Sequence, residues 1–164
     1  MTLADLNASD RAAFISATGW IFEDSPWVAE RAWSQRPFPT IDALHGAMIA
    51  VVEAATSEER LALLRAHPDL GARARMSEAS VGEQRGAGLD RLTREEFEHL
   101  QEMNAEYRSR FGFPFLYAVK GSTKEDVLAS LDRRRTAPLD EEQAEAMRQV
   151  YRIARFRLDD LISG

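Results

Sequence analysis

The sequence predicts an all-α fold, a single compact domain of about eight helices, and three observations carry that prediction. Boxes of a hydroxyl residue followed three positions later by Glu recur ahead of apolar runs, at Thr56 to Glu59, Thr93-x-x-Glu96 and Ser122-x-x-Glu125. In each, a side-chain oxygen and a carboxylate can satisfy N–H groups that a helix start leaves unpaired. Apolar residues recur three and four positions apart, while the strict alternation of a half-buried strand is almost absent. Proline and glycine stand at the borders of the periodic runs, as at Pro26, Pro37, Pro68 and Gly112, where they begin or end helices.

The elements follow in order. Ser9 caps a first helix through about Thr18, and Ser25-Pro26 reads as an N-cap with proline at the first helical position. That second helix carries Trp27, Val28, Ala32 and Trp33 and ends before Pro37. Thr40 caps a third, with Ile41, Leu44, Met48, Val51 and Val52 on one face. The Thr56 box opens a helix to Ala66, which leaves His67 at its end because Pro68 cannot continue it. From His67 to Ser80 a loop with a turn at Gly71 is expected, then a short helix of small residues from Ser80 to Gly88. The Thr93 box opens a helix with the stripe Phe97, Leu100, Asn104, Tyr107 and Phe111, stopped by Gly112. Phe113 to Val119 lacks helical logic and reads as an extended, buried loop. The Ser122 box opens a helix to about Arg134, and Asp140-x-x-Gln143 opens the last, to about Ile162. The stripe of that last helix is Ala144, Met147, Val150, Tyr151, Ala154, Leu158 and Leu161.

A net charge of −6 argues against nucleic acid as a partner, which calls for a basic patch. The densest basic run, Arg133-Arg134-Arg135, falls where a helix C-terminus favours cations. With no cysteine, disulfides, thiolate metal sites and cysteine nucleophiles drop out. No export signal is evident, and no apolar run approaches the ~18 residues of a membrane span. A cytoplasmic protein without a membrane partner is the expectation.

Of the three histidines, His45 borders an apolar stripe and reads as half-buried and structural, while His99, between Glu95 and Glu102, reads as part of a solvated face. His67 differs, because a helix end followed by a rigid proline can project an imidazole into a cleft; a capping or core role stays open beside a catalytic one. On a helix, Ser80, Glu83 and Gln84 share a face among small neighbours, either as a ligand-binding cluster or as an exposed amphipathic surface. Arg157 edges the last buried stripe and needs a carboxylate from protein or ligand. Backbone groups of the Phe113 to Val119 loop need partners too, from a planar amide-rich ligand, another segment or ordered water. Nucleotide, zinc-protease and serine-hydrolase motifs are absent, and His67-x-Asp69 alone is too sparse for a metal site.

Taken in order, His67-Pro68-Asp69-Leu70-Gly71, Ser80-x-x-Glu83-Gln84, Ala87-Gly88-Leu89, Asn104-x-x-Tyr107-x-x-Arg110-Phe111-Gly112-Phe113-Pro114-Phe115 and Arg157-Leu158 resemble the 2-oxo-4-hydroxy-4-carboxy-5-ureidoimidazoline (OHCU) decarboxylase family over essentially the whole chain. The resemblance implies one helical domain over residues 1–164 that turns this urate-derived imidazoline into (S)-allantoin and CO2 with no metal and no organic cofactor. It implies catalytic roles for His67 and Glu83. It implies substrate contacts from Pro68, from the helix segment Ser80, Val81, Gly82 and Gln84, from the backbone of Phe115, Leu116, Tyr117, Ala118 and Val119, and from Arg157. Two departures stand out. HPDLGAR replaces the usual HPDLAG[KR] with a shorter connector, touching Gly71 and Arg73, and Tyr117-Ala118-Val119-Lys120 replaces an aliphatic run ending in arginine. No Y-R-G-S ending of a fused hydroxyisourate hydrolase is present, so the decarboxylase alone is expected. The resemblance also points to a homodimer; Trp20, Trp27 and Trp33 read as core or as a dimer face. Two readings compete: a non-catalytic helical binding module, and a lyase or hydrolase of a different ureido compound.

Overall fold

The computed structural model describes the backbone of residues 1–71 and 78–163 and the side chains of 1–71 and 81–163. Among these residues it holds nine α-helices, one 3-10 turn and no strand, as the all-helical class requires. The helices are α1 Leu3–Ala8, α2 Arg11–Thr18, α3 Trp27–Ala32, α4 Ile41–Ala54, α5 Ser57–Ala66, α6 Glu78–Gly86, α7 Arg94–Phe111, α8 Lys124–Arg134 and α9 Leu139–Leu161. Contacts gather into two compact units, Met1–Ala66 with Ala154–Gly164, and His67–Ile153.

In the first unit the start departs from expectation. Thr2 and Asp5 form a capping box that opens α1, and Asp10 rather than Ser9 caps α2 by accepting from Ala13 N–H. The Ser9 hydroxyl instead donates back to the Asp5 carbonyl at 2.9 Å, a local bond that competes with capping. Ser25 makes no cap either; its hydroxyl donates to the Glu23 carbonyl at 2.8 Å, inside a turn where Asp24 takes φ +44°. Thr40 and the Thr56–Glu59 box cap α4 and α5 as expected. After α3 a 3-10 turn, Trp33–Gln35, carries the chain to Arg36, whose guanidinium donates to the Asn7 and Ser9 carbonyls at 2.9 Å each. The core is Leu6, Phe14, Phe22, Val28, Leu44, Met48, Val52, Leu63, Leu64 and Leu158, all buried.

In the second unit Thr93 and Glu96 form the expected box on α7, and Gly112 ends that helix in the left-handed region at φ +79°. The box on α8 is shifted by one residue, to Thr123 and Asp126. Ser122 is taken by a turn, its N–H donating to the Val119 carbonyl at 2.9 Å and its hydroxyl lying 3.1 Å from that of Tyr117. α9 starts directly after Pro138, whose carbonyl accepts from Glu142 N–H. Its early buried face is also rotated from the apolar stripe: Ala144 is exposed, while Glu142, Ala146, Gln149 and Val150 are buried. An aromatic cluster fills this unit, with the Tyr107 ring 4.5 Å from Phe111 and 5.4 Å, edge-on, from Phe115.

Candidate active site

Pro68 lacks an N–H and disfavours helical geometry at the residue before it, so α5 stops at Ala66 and His67 is the first residue beyond it. His67 is 6% exposed. The three residues after Pro68 are each tied to a different side chain. Arg108 Nη2 lies 3.2 Å from the Asp69 carboxylate, Asn104 Nδ2 donates to the Leu70 carbonyl at 3.0 Å, and Gly71 N–H donates to Gln84 Oε1 at 2.8 Å. Asn104 and Arg108 lie four apart on α7 and so share a face. Gly71 takes φ +73°, and a Cβ there would fall 2.6 Å from Leu100 Cδ2. Both facts favour glycine at the turn.

α6 carries the second group. Val81 and Glu83 are half-buried, Gly82 is exposed with open space where a Cβ would stand, and Gln84 is buried. Ser80 belongs to α6 by its backbone, while its side chain and the whole of Arg73 lie outside the described residues. Gln84 thus joins the segment that bears His67 through its bond to Gly71.

The segment Phe115–Val119 is non-helical, and all but the half-buried Tyr117 are buried, as the sequence implied. The rings of Phe115 and Tyr117 stack 6.2 Å apart at 17°, as side chains two apart do along an extended chain. Part of its backbone is satisfied within the protein. Arg134 Nη1 donates to the Leu116 carbonyl at 2.7 Å, and Ala118 N–H donates to Gln149 Oε1 at 2.9 Å. Arg134 in turn pairs with Glu142, and the Tyr107 hydroxyl donates to the same carboxylate oxygen. Burial and the adjacent Glu142 carboxylate push the Tyr107 phenol above its ordinary range.

Arg157 belongs to the first unit. Its Nη2 pairs with Glu23 at 2.9 Å, with both side chains 3% exposed, and its Nη1 lies 3.3 Å and 3.4 Å from the Trp20 and Ile21 carbonyls. The internal salt bridge weighed from sequence is therefore present. His45 is half-buried and His99 exposed, as read. Among the described residues no cluster of three or more His, Asp or Glu is arranged to hold a metal ion, and no helix is long and apolar enough to cross a membrane.

Sequence reasoning missed Glu23, Asn104, Arg108, Arg134, Glu142 and Gln149 as supporting residues. For Arg134 a signal existed: Val127, Ser130, Leu131 and Arg134 fall on one helical face, and all four are buried. Glu23 carried no signal, since the carboxylate that answers Arg157 lies 134 positions away.

Known proteins resemble the chain over most or all of its length. Residues 7–159 match the family described as OHCU decarboxylase. The chain is 46% identical to the 2-oxo-4-hydroxy-4-carboxy-5-ureidoimidazoline decarboxylase of Haloferax volcanii, covering 100% of this chain and 98% of that one. It is 44% identical to the uric acid degradation bifunctional protein of Bacillus subtilis, covering 99% of this chain and 33% of that longer protein. A crystal structure of (S)-allantoin synthase superposes with a TM-score of 0.79 at 34% identity, over 99% of this chain and 54% of that one. A crystal structure of OHCU decarboxylase in the presence of (S)-allantoin has the same fold, with a TM-score of 0.72 at 20% identity, over 95% and 100% of the two chains. With residues 7–159 matched by the family and 46% identity over its whole length to one of its named relatives, the chain belongs to the OHCU decarboxylase family.

Proposed function

We propose that this protein is a carboxy-lyase that converts 2-oxo-4-hydroxy-4-carboxy-5-ureidoimidazoline to (S)-allantoin and CO2, the last step of urate degradation to allantoin. The observation that carries the reading is full-length similarity to proteins of that name together with a buried His67 on a segment held at three successive residues. The chemistry asks little of a cofactor. As the carbon–carboxylate bond breaks, its electron pair forms a double bond to the ureido-bearing carbon. The C=N pair of that carbon moves onto nitrogen, which takes a proton. The resulting enol becomes the ketone by gaining a proton on the ureido-bearing carbon and losing the hydroxyl proton, and the face protonated sets the stereocentre.

The protein's part is to orient the carboxylate across the π system, exclude water and place a proton-transfer group. His67 is the residue suited to that transfer, since an imidazole can both donate and accept a proton. Glu83 orients His67 or binds the substrate hydroxyl or a ring N–H. Pro68, Ser80, Val81, Gly82, Gln84, the Phe115–Val119 backbone and Arg157 bind the remainder. Gln84 already spends its carbonyl oxygen on Gly71, and the Leu116 carbonyl and Ala118 N–H are held by Arg134 and Gln149. A cytoplasmic homodimer is the proposed working form, supported by the family resemblance and by Trp20, a large apolar side chain left 40% exposed. Sedimentation equilibrium tests the dimer.

The test of function is a circular-dichroism time course with urate oxidase and hydroxyisourate hydrolase generating the imidazoline in situ. Rapid formation of optically active (S)-allantoin, lost in His67→Asn, is expected. Racemic decay at the protein-free rate would leave a binding module or a different ureido substrate.

A further inference from the structure

The stacked rings of Phe115 and Tyr117 mark the segment Phe115–Val119 as extended, and an extended chain sends the N–H and C=O of successive residues to opposite edges. The Leu116 carbonyl and the Ala118 N–H therefore lie on one edge, and both are claimed by buried side chains, Arg134 at 2.7 Å and Gln149 at 2.9 Å. The N–H and C=O of Tyr117 point to the other edge. Gln149 is itself oriented: its Nε2 donates to Glu145 Oε1 at 2.8 Å, which fixes Oε1 as the atom that faces Ala118. Arg134 is held by Glu142, and Glu142 by Tyr107. Each anchor on the inner edge is thus backed by a carboxylate, Glu142 behind Arg134 and Glu145 behind Gln149.

We propose that Gln149, together with Arg134, is a positioning residue that fixes the inner edge of Phe115–Val119, so that the opposite edge, centred on the Tyr117 peptide groups, is presented at set spacing to the amide-rich substrate. This rests on the decarboxylase reading. Gln149 acts through the backbone of Ala118 and not on the reacting atoms, so its loss weakens substrate binding more than it slows the bound complex.

The experiment is steady-state decarboxylation with melting temperatures for the wild type, Gln149→Leu, Glu145→Ala and the swapped pair Gln149→Glu with Glu145→Gln. In the swap a carboxylate oxygen still faces Ala118 and an amide N–H still joins the two side chains. Expected is a KM raised about tenfold in Gln149→Leu, as for a buried donor left unsatisfied, with kcat changed less than about threefold. Amide exchange at Ala118 should quicken in the same variant, and the swapped pair should return KM to within about threefold of the wild type. A KM within about twofold of the wild type in Gln149→Leu, or equal losses in Gln149→Leu and the swap, would overturn the inference while leaving the decarboxylase reading intact. If Gln149→Leu does not fold, Glu145→Ala decides: it frees the Gln149 amide to rotate and should raise KM in the same direction, and an unchanged KM overturns the inference. A wild type without turnover overturns both.

Discussion

Arg157 and Glu23 form an ion pair at 2.9 Å in which each side chain is only 3% exposed. The same guanidinium reaches the carbonyls of Trp20 and Ile21, so one side chain of α9 secures the turn that leads into α3. Buried pairs are weak sources of net stability but costly to break. Glu23→Ala should lower unfolding free energy by about 3–5 kcal/mol, read from urea titration. The double variant Glu23→Leu with Arg157→Leu should recover most of that loss, because no unpaired charge stays behind. Turnover should nevertheless be lost in the double variant, since the proposed substrate contact goes with Arg157. Full turnover there would remove Arg157 from the site and leave it a structural residue.

Tyr107 gives an alkaline signature. Its phenol is buried against Glu142, and its ionisation is pushed above the ordinary 10.0 first by burial and then by that carboxylate. For a group whose folded pKa is raised, the stabilisation is complete below the unfolded value and is lost as pH climbs beyond it. Unfolding free energy should therefore fall above about pH 10, and less steeply in Tyr107→Phe. At neutral pH that variant should lose about 1.5–3 kcal/mol, the usual worth of a hydrogen bond to a charged group. Identical alkaline slopes for the two proteins would show that Tyr107 ionises freely.

The local signals explain what was legible. Helix caps and the Ala66–His67–Pro68 stop are short-range grammar, and they placed α4, α5 and α7 and set His67 just past a helix end. Capping registers that differ by one residue are harder: Ser9 and Asp10, or Ser122 and Thr123, offer similar oxygens, and the choice turns on which hydroxyl a nearby carbonyl or ring hydroxyl captures. The polar face of α9 was illegible for another reason. Glu142 and Gln149 lie off the apolar stripe that the sequence displays and are buried all the same, and their partners Arg134, Tyr107 and Ala118 are 8 to 35 positions away. Only the fold brings together groups that make burial of those side chains tolerable.

The acid limb depends on Glu59. Hydrogen bonding to Arg31, helped by the Thr56 N–H, lowers its carboxyl from 4.5 to about 2. A depressed folded pKa adds stability above the unfolded value that is lost as pH falls through the folded one. Glu59→Gln keeps the capping oxygen and removes the charge, so the stability gap between wild type and variant should close between about pH 5 and 2. The pair lies near the surface, so added salt should narrow the gap at neutral pH as well. A gap independent of pH and salt would assign Glu59 to capping alone.

Gly71 tests how tightly the His67 segment is held. Alanine there must adopt φ +73° and press on Leu100 Cδ2, the end of a side chain that can yield. The expected stability loss is modest, about 1–2 kcal/mol from the left-handed conformation. The expected loss in kcat/KM is larger, about 10²-fold, because a small displacement of a catalytic group is amplified in rate. Parallel small losses in melting temperature and activity would show that His67 does not depend on this turn.

Gly82 separates a bare helix position from a ligand-facing one. A Cβ added there meets no described atom within 4 Å, and its φ lies outside the left-handed region. Helix propensity then favours alanine by about 0.5–1 kcal/mol, so Gly82→Ala should raise the melting temperature. If substrate lies against α6, as proposed, the added methyl occupies space that the ligand needs. KM should then rise while the free protein becomes more stable, an opposition that no purely structural glycine would produce. A variant that is both more stable and fully active would move the substrate away from Gly82 and leave the contact with α6 to its neighbours Glu83 and Gln84.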